Sequence, residues 1–202
     1  MIIDVLGNKL FCLWGRGFLK KKGVPMFRLN DKVVYPGHGV AKINRVVDKV
    51  IGGQNSSFYE LKFLNKEMTV LVPVDNTSGI GLRPLSTTNR IDDIFKMLAE
   101  PEKKLKHYEL TANNWNKRNK EYQLKLRTGN LEEISEIYRD LKHIAQQKEL
   151  SFGEKNLLNQ TESLLAEEIS IVRKLEAEKA VENLRSMFNS LDKMSLKDQR
   201  VL

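Results

Sequence analysis

The sequence predicts an α+β chain, a small bent β-barrel domain followed by an all-α helical bundle. Three observations predict it. Between Phe27 and Leu85, short β-rich runs alternate with Gly, Asn and Pro turns. After Leu85 the apolar period lengthens to that of an amphipathic helix. Capping signatures then mark successive helix starts.

Within the β zone, Val33-Val34-Tyr35 precedes the turn Pro36-Gly37-His38-Gly39, and a second run from Val40 to Val50 ends at Gly52-Gly53. Phe58 to Leu64 alternates polar and apolar residues, Asn65-Lys66 turns the chain, and Met68 to Val74 is β-branched up to Pro73. Arg90 to Ala99 reads as a short helix stopped by Pro101. Asn113 or Asn114 is positioned to cap a helix to Arg127, halted at Thr128-Gly129. Asn130 with Glu133 and Ser151 with Glu154 form two capping-box patterns, so helices are expected from Asn130 to about Leu150 and onward from Ser151. The stripe Leu157, Leu158, Thr161, Leu164, Leu165, Ile169, Val172 and Leu175 is the face that packs on neighbouring helices. It continues weakly through Ala180, Leu184 and Phe188. The expected division is an extension over 1–25, a β domain over 26–88, a helical domain of four or five helices over 89–190, and a flexible tail over 191–202.

Composition bounds the function. A chain of 202 residues with 41% hydrophobic and 30% charged residues is a folded protein with real cores. No run approaches the roughly 18 apolar residues that span a bilayer, and Lys20, Lys21 and Lys22 follow the apolar N-terminal stretch where a secretory signal would need charge before it. The single Cys12 precludes an internal disulfide framework, so a cytoplasmic location is expected. Catalysis finds little support. His38, His107 and His143 lack metal-ligand spacing. Gly37-His38-Gly39 starts like a dinucleotide fingerprint, yet no third glycine or helix follows, so it reads as a turn. Glu132-Glu133 and Glu167-Glu168 fit the solvent faces of helices. No enzyme, cofactor, metal or small-molecule substrate is expected.

The net charge is +8, and Lys103 to Arg127 holds eight basic residues against Glu109 and Glu121. That concentration suits either a polyanion-binding face or a solvated lysine-rich helix. Trp115 lies in this run, within Asn114-Trp115-Asn116-Lys117-Arg118-Asn119-Lys120, with few apolar residues at helical spacing. Two readings stand: a ring that inserts at a nucleic-acid groove while its cations hold phosphates, or a half-buried plug at the domain junction. Lys155, just inside the second capping box, is a weaker candidate for a phosphate.

The run Asp31-Lys32-Val33-Val34-Tyr35-Pro36-Gly37-His38-Gly39-Val40-Ala41 resembles the opening of the CarD/CdnL family of bacterial transcription regulators. So do Met68 to Asn76, Gly81-Leu82-Arg83, Asn114-Trp115 with its basic followers, and Leu150-Ser151-Phe152-Gly153-Glu154-Lys155. The likeness spans Phe27 to about Leu175. It implies a Tudor-like β domain that docks on the RNA polymerase β subunit, and a helical domain that contacts promoter DNA at the upstream edge of the melted region. The wedge into the minor groove would be Trp115, with phosphate contacts from Lys117, Arg118, Lys120 and Lys155. The polymerase-facing strand would include Lys49 and Ile51, with Leu71 on the neighbouring strand. Certain family members carry a basic residue where this chain has Leu71, which weakens an ionic contact there. Transcription-repair coupling factors share the β module, but their helicase motors are absent here. Residues 1–25 lie outside the likeness and read as an upstream-start artefact before Met26, the alternative being a genuine basic extension. The expectation is therefore a monomeric, non-catalytic regulator that stabilises the open complex. The rival from another class is a free-standing nucleic-acid-binding or chromatin-associated protein acting without polymerase.

Overall fold

The computed structural model describes residues 27–99 and 112–198, with side chains over 27–99 and 115–188. The 1–25 extension and Lys103, Lys104 and Lys106 of the basic run lie outside the described residues. Strands β1 (Lys32–Tyr35), β2 (Gly39–Ile51), β3 (Gln54–Phe63), β4 (Thr69–Pro73) and β5 (Arg83–Pro84) form one antiparallel sheet in the order β4-β3-β2-β1-β5. The short helix α1 (Thr77–Ile80) links β4 to β5. The expected barrel is therefore corrected to an open sheet: β4 and β5 are its two edges and do not pair with each other. β5 is only two residues long, too short to close it. A register shift between Ile43 and Arg45 breaks the β2–β3 ladder, which is how a long strand bends around its core. Val33, Ile43, Tyr59, Leu61, Phe63, Val72 and Leu82 fill the inner face.

Five helices follow: α2 (Thr88–Ala99), α3 (Ala112–Thr128), α4 (Leu131–Gln147), α5 (Phe152–Arg173) and α6 (Ala177–Asp198). Their core draws on Ile91, Ile94 and Leu98 of α2, Ile134, Ile137, Tyr138 and Leu141 of α4, and Leu157, Leu165 and Ile169 of α5. α6 adds Ala180, Leu184 and Phe188. Three expectations are corrected at helix ends. α3 runs through Asn113 and Asn114, so neither caps it and Trp115 is its fourth residue. Asn130 caps α4 through Glu132 N–H at 3.2 Å, while Glu133 accepts from the Thr128 hydroxyl at 2.6 Å instead of closing a capping box. α6 continues as helix to Asp198, past the expected limit of the helical domain near 190. The Ser151–Glu154 capping box forms as expected, with both reciprocal hydrogen bonds.

The sheet and the helices are joined by a polar, close-packed seam built on α5. Glu168, only 2% exposed, accepts both arms of the Arg83 guanidinium at 2.7 Å and the Ser86 N–H at 2.9 Å. Arg83 Nε also donates to the Gly129 carbonyl at 2.6 Å, which ties the sheet to the α3–α4 turn. Glu167 is buried beside it and accepts the Val40 N–H. Burial pushes the Glu167 carboxyl above its usual range, because that hydrogen bond and Lys66 only partly offset desolvation. Both glutamates were expected on a solvent face, and this is corrected: α5 is covered on nearly every side over 161–169, by helices on one flank and the sheet on the other.

The glycine turn gains its explanation here. Gly39, at φ +105°, presses on Glu167 so closely that a Cβ would lie 2.1 Å from Oε2. Gly129, at φ +67°, packs on Pro36, where a Cβ would meet the proline ring at 3.0 Å. The Tyr35-Pro36-Gly37-His38-Gly39 segment is thus an interdomain contact rather than a loop for phosphates. Sheet and helical bundle form a continuous packed body at this seam.

Candidate nucleic-acid and polymerase contact sites

The first site lies where the N-terminal part of α3 meets the start of α5. Trp115 is half-buried and packs against the helical core. Its indole covers Gly153, the second residue of α5: a Cβ there would lie 3.2 Å from Cζ2 and 3.6 Å from Nε1. Gly153 therefore works as a seat for the ring. One turn along α3, Arg118 donates to the buried Glu154 carboxylate at 3.2 Å. Lys148 reaches both oxygens of the same carboxylate at 3.0 Å, and the Ser151 N–H adds a fourth hydrogen bond at 2.9 Å. Burial opposes the charge on Glu154, but the Ser151 and Lys148 contacts outweigh it and hold the carboxyl below its usual range.

These contacts redistribute the predicted roles. Arg118, expected on a phosphate, is only 14% exposed and engaged with Glu154, a contact that ties α3 to α5. Of Trp115, part of the ring packs on the helical core and part stays in reach of solvent. Lys117 and Lys120 are exposed. At 100° per residue they share the face of α3 turned roughly 150° from Trp115, so they flank the indole at a distance rather than beside it. Lys155 stands in the first turn of α5 and pairs with the exposed Glu149 at 2.9 Å. Sequence reasoning missed Lys148 and Phe152. Lys148 carried a usable signal, a cation just ahead of a capping box whose glutamate becomes buried.

The second site is the outer part of the sheet. Lys49 and Ile51 of β2 pair with Ser56 and Gln54 of β3, near the tip of a hairpin. Leu71 of β4 pairs with Glu60, which in turn faces Arg45. Alternation along β2 puts Arg45, Lys49 and Ile51 on the face shared with Leu71, opposite the core. β3 lies between β2 and β4, so Leu71 is not on the strand neighbouring Lys49 and Ile51, as expected, but two strands away. It also lies four and six residues lower, roughly 13 and 20 Å at the rise of a strand. β4 stops pairing at Phe58, so the hairpin tip overhangs it. The result is an exposed stripe rather than a compact patch, with Ile51 57% and Leu71 37% exposed.

Among the described residues, no group of His, Cys, Asp and Glu could hold a metal ion, and no helix is long and apolar enough to cross a membrane. Two family models match the chain in order. The sequence matches the model of the CarD-like/TRCF RID domain over residues 27–86 and that of the CarD C-terminal domain over 93–185. A Bacillus subtilis (strain 168) protein described as "Putative transcription factor YdeB" is 25% identical over 148 residues, covering 73% of this chain and 93% of that protein. The solution structure of the 72-residue N-terminal domain of Myxococcus xanthus CarD shares 30% identity over 28% of this chain and 76% of its own, at a TM-score of 0.26. With both halves matched in order, over residues 27–86 and 93–185, this chain belongs to the CarD/CdnL family of transcription regulators.

Proposed function

We propose that this protein is a non-catalytic regulator that docks on the RNA polymerase β subunit through its sheet and stabilises open promoter complexes through the Trp115 end of its helical domain. The observation that carries the reading is Trp115 itself. A half-buried indole seated on Gly153, with exposed Lys117 and Lys120 on its own helix, is anchored firmly enough to act as a wedge while keeping a free edge. Arg118 and Lys148 support it indirectly, by holding the two helix starts together through Glu154.

The interdomain seam supports the same reading. A regulator that spans two partners gains from a fixed geometry, because docking on one makes contact with the other effectively intramolecular. The Arg83–Glu168 pair and the Pro36–Gly129 packing supply that stiffness. The open sheet leaves β4 as an edge strand, and edge strands accept further strands through free backbone groups.

The docking half is tested with Ile51→Glu, Lys49→Glu and Leu71→Glu. All three side chains are exposed, so the melting temperature should hold within a degree or two. Co-precipitation with the isolated β-subunit lobe should weaken by about tenfold for Ile51→Glu, with a smaller loss for the others. Unchanged capture by all three variants would move the docking surface away from this stripe.

A further inference from the structure

Phe152 is the most exposed large apolar side chain among the described residues, at 81%. A solitary exposed apolar residue needs no explanation on a folded surface, but the position of this one is unusual. It is the first residue of α5, immediately before Gly153, on which the Trp115 indole rests. The Ser151–Glu154 capping box fixes the backbone on both sides of it. Glu154 is held by Arg118 and Lys148, so the turn that carries Phe152 is tied to α3 and to the end of α4. The ring takes no part in the core. The cations nearest it along the chain are Lys155 in the same turn, exposed and paired with Glu149, and the part-exposed Lys148 held by Glu154, while Lys117 and Lys120 stand farther off on α3. An aromatic ring on a rigid mount amid cations suits a nucleobase, whose flat face it can stack on while the cations draw in phosphates.

We propose that Phe152 is a second nucleic-acid-contacting ring, which stacks on an unpaired base at the junction between duplex and melted DNA beside the position taken by Trp115. This rests on the promoter-binding role proposed above and adds a residue to it. The two rings then divide the work. Trp115, half-buried, holds the duplex edge open, while Phe152, fully presented, captures the base released there. Stacking of this kind tolerates any sequence, since every base offers a π-face.

The test uses the full chain with RNA polymerase on two DNAs of equal length, a fork junction and a continuous duplex, with 2-aminopurine at the first unpaired position of the fork. The wild-type protein should quench that fluorescence. Phe152→Ala should remove the quenching and weaken binding to the fork by about tenfold, leaving duplex binding within twofold. Phe152→Tyr should restore both. Equal fork affinity and equal quenching for Phe152→Ala and wild type would overturn the assignment. If Trp115→Ala weakens fork binding while Phe152→Ala does not, this inference falls and the promoter-binding reading survives. If the wild type adds nothing to polymerase on either DNA, both fall. A change of oligomeric state in Phe152→Ala would give the ring to a second copy of the chain, and would also overturn it.

Discussion

Replacing Glu168 with alanine should lower the melting temperature by about 6–12 °C. The carboxylate is almost fully buried and satisfies the whole end of Arg83 together with the Ser86 N–H. Removing one partner of such a pair leaves a desolvated cation and an unpaired amide, which typically costs about 3 kcal/mol or more. In a chain of this length each kcal/mol moves the midpoint by about 2–4 °C. The neighbouring Glu167 should behave in the opposite sense. Its carboxyl is held above the usual range chiefly by burial, so the folded protein binds that proton more tightly than the unfolded chain. By linkage its contribution favours folding at acid pH and turns unfavourable as pH rises through the folded value. Glu167→Gln keeps an acceptor for the Val40 N–H without the charge, and at pH 7 should leave stability unchanged or raised. Thermal unfolding followed by circular dichroism measures both. Equal destabilisation by the two changes would contradict the assignment of Glu168 as the interdomain tie and Glu167 as an acid whose charge burial opposes.

Trp115→Ala should shorten the lifetime of open promoter complexes at least tenfold while leaving capture by polymerase intact. Opening a base step costs a few kcal/mol of lost stacking, and a ring that fills the gap recovers part of it only in the melted state. The same change removes packing on Gly153 and the helical core, so stability should also fall. The ring is half-buried, and a loss of about 1–2 kcal/mol is expected, well short of the 3–5 typical of a fully buried Trp. Trp115→Phe should keep part of the lifetime. Lys117→Ala and Lys120→Ala should weaken DNA contact evenly and reduce its salt dependence by about one unit of slope each. The paired measurements are open-complex half-life on a linear promoter and thermal unfolding. A melting temperature lowered by more than about 10 °C, with polymerase capture lost as well, would make Trp115 a structural plug and sink the wedge.

The four longer strands, the change from strand to helix near residue 86, the Ser151–Glu154 capping box and the place of Trp115 near the start of a helix were legible in the chain, because each is a local signal, whereas α1 and β5 were not read. Periodicity, caps and turn residues act within a few positions of one another, so they survive being read one segment at a time. Closure of the sheet was not legible. Whether β4 meets β5 depends on strand length and twist over the whole sheet, and β5 is too short to present an edge. Nor was the fate of the charges. Glu167-Glu168 has the same local appearance as the exposed Glu132, yet α5 lies between sheet and bundle, so those two glutamates are buried and bonded across the seam. Arg118 looked like its neighbours Lys117 and Lys120, but it is the one turned toward Glu154, a carboxylate 36 residues away. Sequence alone named candidate side chains for contact with a partner and the element on which each stands, Lys148 and Phe152 excepted. Tertiary structure decided which of them are left over to do so, because a charge becomes a tie or a free contact only when packing sets what stands opposite it and how much water remains.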